Sequence, residues 1–209
     1  MLGPRQSLSP FSLVELLVVI GIMAILMSIL LPVTTKIREN GRRVACSANL
    51  RQLGTAMHLY MQEYDQSMCP HDDADSGNPE WRWDTIYLNL APYYSDNHDI
   101  LKCPKDRSWT RPASGATGRW WSYGFNHACG YGGAMMTTDF VDPPGTAVFF
   151  DSDESDGGVE DDGNRPYQNI ASKAYRRHLQ GLNVMFFDGH VQWRRPSSLT
   201  NAQFTLAQD

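Results

Sequence analysis

Residues able to do chemistry gather in the last third of the chain. His178, Asp188 and His190 lie within "RHLQGLNVMFFDGHVQW". If the segments carrying them pair, two imidazoles and a carboxylate converge, a donor set that suits zinc and would support a metal-dependent hydrolase. A plainer role is open to the same residues. Asp188 and Gly189 suit a type I′ hairpin turn, and His178 can bond to a nearby backbone carbonyl. The run "DSDESDGGVEDDGN", from Asp151 to Asn164, packs acids without a basic residue. Clustered carboxylates in a glycine-rich loop suit calcium, with Asp151, Asp153 and Asp156 as the first ligands. Asp156 stands where an EF-hand needs its turn glycine, so that template fails. The alternative is a solvated acidic loop.

The four cysteines are Cys46, Cys69, Cys103 and Cys129. Cys69 and Cys103 each precede a proline, and Cys129 sits in "HACGYGG". One bridge is expected among these three, Cys103–Cys129 first; the alternative is that all are free. No C-x-x-C pair is present, which argues against a zinc ribbon. No G-x-S-x-G, P-loop, Rossmann glycine pattern or H-E-x-x-H occurs, and the chain is not expected to be an enzyme. Six tryptophans raise the possibility of sugar stacking by Trp81, Trp83, Trp120 and Trp121. Filling the core of a small sheet domain is the simpler use.

These residues need a frame. The chain has 209 residues and a formal net charge of -5. An acidic balance argues against nucleic-acid binding, which wants a basic face. The apolar residues are concentrated near the N-terminus, so the region after about residue 35 is polar. It is rich in glycine and aromatics, which suits a loop-rich extracytoplasmic domain. In "TKIRENGRRVACSANLRQLGTAMHLYMQEYD", Cys46, Leu50, Leu53, Met57, Tyr60 and Tyr64 alternate by four and three. That spacing predicts one buried face of a helix, with Cys46 as a small buried hydrophobe. "WDTIYLNLAPYY" predicts a short helix ending before Pro92, and "DILKCP" a strand-like piece. "RWWSYGFNH", "GTAVFFDS" and "GLNVMFFDGHVQWRR" predict strands, the last a hairpin turning at Asp188–His190. The fold class is therefore α+β: a long N-terminal helix on a small antiparallel sheet with long loops.

The N-terminal segment "FSLVELLVVIGIMAILMSILLPV", Phe11 to Val33, has the length of a bilayer span. It is longer than the apolar core of a secretory signal peptide and lacks a small-residue cleavage site after it. Glu15 is a carboxylate inside this apolar run, and such a charge normally has a partner. If the chain were cut before Phe11, a new amine would lie one helical turn from such a carboxylate. In parallel packed helices, Glu15 could pair with that amine on a neighbour and set the axial register. The alternative is a solvated Glu15 at the membrane interface.

Phe11, the run Leu13 to Leu17 and Pro32 together resemble the N-terminal segment of type IV pilins and type II secretion pseudopilins. The resemblance implies a leader over 1–10, a transmembrane and filament-core helix over 11–33, its amphipathic continuation over 34–66, and an extracytoplasmic domain over 67–209. It implies a processing site at Pro10–Phe11, an assembly role for Glu15, and loosening of the helix at Pro32. The implied partners are copies of the chain or sister pseudopilins, a prepilin peptidase and an inner-membrane assembly platform. The implied location is the cytoplasmic membrane, single-pass, with the C-terminal domain in the periplasm or outside the cell. This outweighs the basic residues Lys36, Arg38, Arg42 and Arg43, which alone would place the C-terminal side inside. One departure stands out: Pro10 replaces the family's glycine before the cut. Proline fixes φ and lacks an N–H, so an uncleaved, membrane-anchored binding protein for calcium or glycans is the alternative.

His178, nine intervening residues, then Asp188–Gly189, with "CSANLRQLGTAMHLY" and "LKCP", resemble the planctomycete-type H-x9-DG pseudopilin-like family. That resemblance implies the same architecture and gives no ligand for the soluble domain. In major pseudopilins, a C-terminal loop holds calcium, and that resemblance also stands behind the set Asp151, Asp153 and Asp156.

Overall fold

The computed structural model describes residues 12–69, 85–106, 121–126, 129, 135–152, 158–159, 177–200 and 203–204. Pro10, Phe11, Asp153, Asp156, Trp81, Trp83 and Trp120 lie outside them. The chain divides into two compact units, Met1–Asn40 and Gly41–Asp209.

Helix α1 (Leu13–Glu63) runs through 51 residues and contains Pro32. Its start is written in the sequence. Ser12 is the cap: its Oγ accepts the Val14 N–H at 3.3 Å, while the Ser12 N–H donates to Glu15 Oε2 at 2.9 Å. This is an S-x-x-E cap in which the serine accepts from the second helical N–H and the glutamate closes back on the serine, and a carboxylate in the first turn also suits the positive end of the helix dipole. Past Pro32, which has no N–H to give, the Thr34 and Thr35 hydroxyls donate to the Leu31 and Pro32 carbonyls, both at 2.9 Å. In the first unit every described residue but Glu39 is exposed. Among the described residues, α1 is the one helix long and apolar enough to cross a membrane.

In the second unit α1 buries Cys46, Leu50, Leu53, Gly54, Ala56, Met57 and Met61. The predicted face holds through Met57. Beyond it the buried position is Met61; Tyr60 is half-buried and Tyr64 is 49 % exposed, stacked on Tyr60 with ring centroids 4.2 Å apart. The helix ends at Glu63, so Tyr64 is no longer carried on its inward stripe.

Helix α2 (Thr85–Leu90) continues as a 3-10 turn over Ala91–Tyr94. Pro92 is accommodated early in that tighter turn, where its missing N–H is not needed. "DILKCP" is not a strand: His98–Leu101 forms a second 3-10 turn, capped by Asn97, whose side chain accepts the Asp99 N–H. That local bond offers the backbone an alternative to a sheet ladder.

Among the described residues, five strands form one sheet: β1 (Tyr123–Asn126), β2 (Ala147–Asp151), β3 (Gly158–Val159), β4 (Leu182–Phe186) and β5 (Val191–Arg194). Their order is β3-β1-β2-β4-β5. The four longer strands pair antiparallel, and the two-residue β3 adds to β1 in parallel. Along β4 the side chains alternate as a pleated strand requires. Leu182, Val184 and Phe186 share one cluster with Ala147, Phe150, Leu199 and Phe204. Met185 and Phe187 join the α1-side cluster with Leu53, Met57, Tyr87, Phe125 and Phe149. A register irregularity between Ala147 and Phe149 puts both Val148 and Phe149 in that larger cluster.

The β4–β5 hairpin is where expected, with a different turn. The Gly189 N–H donates to the Phe186 carbonyl at 2.8 Å, so the central residues are Phe187 and Asp188. Only Gly189 there has positive φ, at 87°. A type I′ turn needs positive φ at both central residues; this is the wider loop with glycine in the left-handed position.

Candidate functional site

Four segments bring Cys46, Cys103, Asp151 and His178 together, all fully buried. Their ligand-capable atoms lie within 4.8 Å of one another. Cys46 comes from the inward stripe of α1. Cys103 follows the second 3-10 turn and begins a tight turn closed by Asp106 N–H to Cys103 carbonyl at 2.8 Å. Asp151 ends β2, and His178 precedes β4.

His178 is held by its backbone. Its N–H donates to the Gly181 carbonyl and its carbonyl accepts the Gly181 N–H, both at 2.9 Å. The Trp193 indole N–H adds a second bond to that carbonyl at 2.8 Å. Between them, Leu179 and Gln180 have φ of 51° and 65°. Two non-glycine residues in the left-handed region store backbone strain beside the site. Gly181 is required by close approach: a Cβ there would sit 2.5 Å from the Arg194 carbonyl oxygen. The imidazole is thereby placed with Nε2 3.3 Å from Cys103 Sγ.

Asp151 is half-satisfied. Its Oδ2 accepts the Asn183 N–H at 2.7 Å, while Oδ1 is buried with no hydrogen-bond partner. Burial, and next the charge of Cys103, push this carboxyl up to about 6. The two thiols move apart. The hydrogen bond between them is the largest cause for each, lowering Cys103 and raising Cys46. The two thiols titrate as one coupled pair, with Cys103 pulled down and Cys46 pushed up. His178 and the Arg177 cation lower Cys103 further.

Arg177 frames the cluster. It is 2 % exposed. Its Nη1 donates to the Ser122 carbonyl at 3.0 Å and its Nη2 to the Ser152 carbonyl. Nη2 also lies 3.3 Å from Asp106 Oδ2, which accepts the Ser122 hydroxyl at 2.7 Å. Beside the cluster, Asn49 ties α1 to the Lys102 carbonyl and to the Tyr123 hydroxyl, at 2.9 and 3.1 Å.

Several sequence expectations are corrected by this arrangement. His178 is separated from Asp188 and His190, because the length of β4, five residues at about 3.3 Å each, lies between them. His190 Nδ1 meets Asp188 Oδ1 at 2.6 Å at the exposed hairpin tip, and its ring stacks on Phe186 at 4.4 Å. These two residues shape a turn. Asp151 does not belong to a solvated acidic loop: it is a buried strand residue facing thiols and an imidazole, donors too soft for calcium. Cys103 and Cys129 are not bridged, and none of the four cysteines is in a disulfide. Cys129 is packed elsewhere, with Sγ 3.8 Å from the Ala147 carbonyl, while Cys103 faces Cys46.

Composition and periodicity had cast Cys46 as a mere hydrophobe and passed over Arg177 and Asp106. The four donors come from distant segments, so no local spacing betrays them. The available signal was the coincidence of a cysteine on the buried helix face, a second in "LKCP" and the "RH" pair before a strand.

A protein-family model described as "Protein of unknown function (DUF1559)" matches residues 35–124. The match takes in Cys46, Cys103 and Asp106, and ends before Asp151 and His178. No curated protein and no solved structure matches the chain.

Proposed function

We propose that the protein is a pseudopilin-like structural subunit of a type II secretion or type IV pilus-like filament. It is anchored in the cytoplasmic membrane by the N-terminal half of α1 and carries its sheet domain in the periplasm or outside the cell. In this reading its work is assembly, not catalysis, and its partners are copies or sister subunits, a prepilin peptidase and an assembly platform. The observation that carries it is the apolar start of α1. From Leu13 to Val33 its large apolar side chains are between 46 and 78 % exposed. A surface of that kind requires lipid or other helices to cover it. The pilin-like residues Phe11, Glu15 and Pro32 favour other helices.

Glu15 already serves its own helix through the Ser12 cap, so its test needs a control. Glu15→Ala is expected to abolish co-purification and cross-linking of subunits in native membranes. Ser12→Ala loses the reciprocal cap, worth about 0.5–2 kcal/mol, yet keeps the carboxylate and is expected to assemble. Equal assembly by wild type and Glu15→Ala would sink the register role.

Pro10 favours a second reading, an uncleaved anchor bearing a domain that binds glycans. Intact-mass measurement on protein from native membranes separates the two. The filament reading expects a chain beginning at Phe11, methylated or not. A mass retaining Met1 to Pro10 puts the anchored binding protein first.

A further inference from the structure

We propose that Cys46, Cys103, Asp151 and His178 form a closed tetrahedral site for a zinc ion, whose role is to fasten α1 and the Cys103 turn to the sheet. The donor set is two sulfurs, one imidazole nitrogen and one carboxylate oxygen, each a regular zinc ligand. Zinc–sulfur bonds of about 2.3 Å and zinc–nitrogen bonds of about 2.0 Å in a tetrahedron place sulfur and nitrogen about 3.5 Å apart. Cys103 Sγ and His178 Nε2 stand at 3.3 Å, and all four donor atoms fall within 4.8 Å of one another. Little movement is needed to close the shell.

Asp151 supplies the independent pointer. Its carboxylate is fully buried, one oxygen is fixed by Asn183, and the other lacks a partner. An orphaned buried acceptor is costly, and more so when it is charged. A cation at the cluster removes that cost. A Cys46–Cys103 disulfide would use the two sulfurs and still leave Asp151 Oδ1 alone. Two thiolates and a carboxylate around Zn²⁺ leave one net negative charge. The buried Arg177 guanidinium, beside His178 in sequence, acts on Cys103 and Asp151 as well as on Asp106, so the cluster and Asp106 share one cation. Four protein donors with complete burial leave no open coordination position, which marks a structural site. The ligands are held in turn, Asp151 by the Asn183 N–H and the His178 backbone by Gly181 and Trp193.

The test uses the full chain purified in detergent without chelator. Elemental analysis is expected to give about one zinc per chain, falling below about a tenth in Cys46→Ser and in Cys103→Ser. Cys69→Ser and Cys129→Ser are expected to keep it. Because a ligand variant can fail to fold, the unmutated chain is also stripped and refilled with cobalt. Intense thiolate-to-cobalt bands and tetrahedral visible absorption support the site. Zinc that persists in both ligand variants sits elsewhere and overturns the proposal. So does a metal-free chain, whether two hydrogens lighter through a Cys46–Cys103 disulfide or with four free thiols that bind no cobalt.

Discussion

Replacing Arg177 with methionine is expected to destabilise the sheet domain by about 3–5 kcal/mol, the cost of leaving a buried charge without its partner. The side chain is 2 % exposed and reaches three acceptors on three segments. These are the Ser122 carbonyl before β1, the Ser152 carbonyl after β2, and Asp106 in the turn after Cys103. Methionine fills much of the volume and offers no donor. The Asp106 side chain, also 2 % exposed, would keep its charge and lose the cation beside it. Lysine restores a charge but not the fork that spans two carbonyls and a carboxylate, so Arg177→Lys is expected to recover only part of the loss. Urea denaturation of the full chain in detergent, followed by tryptophan fluorescence, measures both. Adding Asp106→Asn to Arg177→Met should then cost little more, because the unpaired carboxylate is gone. Full additivity of the two changes would show that the pair is not coupled.

Most elements were legible because their signals are local. The spacing from Cys46 to Met57 marks a buried helix face, the apolar and aromatic runs of β2 and β4 mark strands, and the glycine after Asp188 marks the turn between β4 and β5. The α+β class follows from those signals. Legibility failed where tertiary contact decides. Tyr64 continued a helical stripe on paper, but the helix stops at Glu63 and the ring turns outward. "DILKCP" has strand-like residues, yet the Asn97 cap curls it into a turn. The candidate site was the least legible. Cys46 meets the rule for a buried small residue and also faces Cys103, Asp151 and His178, because the buried face of the helix is the one turned toward them. The H-x9-DG motif read as one unit is two: His178 enters the buried cluster, while Asp188 and His190 bond to each other at the far end of β4.

Truncation of Phe149 to alanine is the second large effect, expected to cost about 3–5 kcal/mol. Phe149 is fully buried in the middle of β2, on the sheet face covered by α1. Its ring lies 5.3 Å from Phe125 and 6.2 Å from Tyr87, centroid to centroid. The neighbours that would have to collapse into the cavity are themselves held. Tyr87 donates its hydroxyl to the Tyr123 carbonyl at 2.5 Å, and Phe125 is paired in the β1–β2 ladder. A void there relaxes poorly, which places the cost toward the top of the range. Tyr64→Ala is the informative contrast. It removes as large a ring from the position that helical spacing alone had marked as core, but Tyr64 is 49 % exposed. Its stacking on Tyr60 is worth about 0.5–1.5 kcal/mol beyond the area it covers, so the loss should fall well below that of Phe149→Ala. The same urea titration reads both variants. A Tyr64 effect as large as that of Phe149 would mean that the inward face of α1 continues past Glu63.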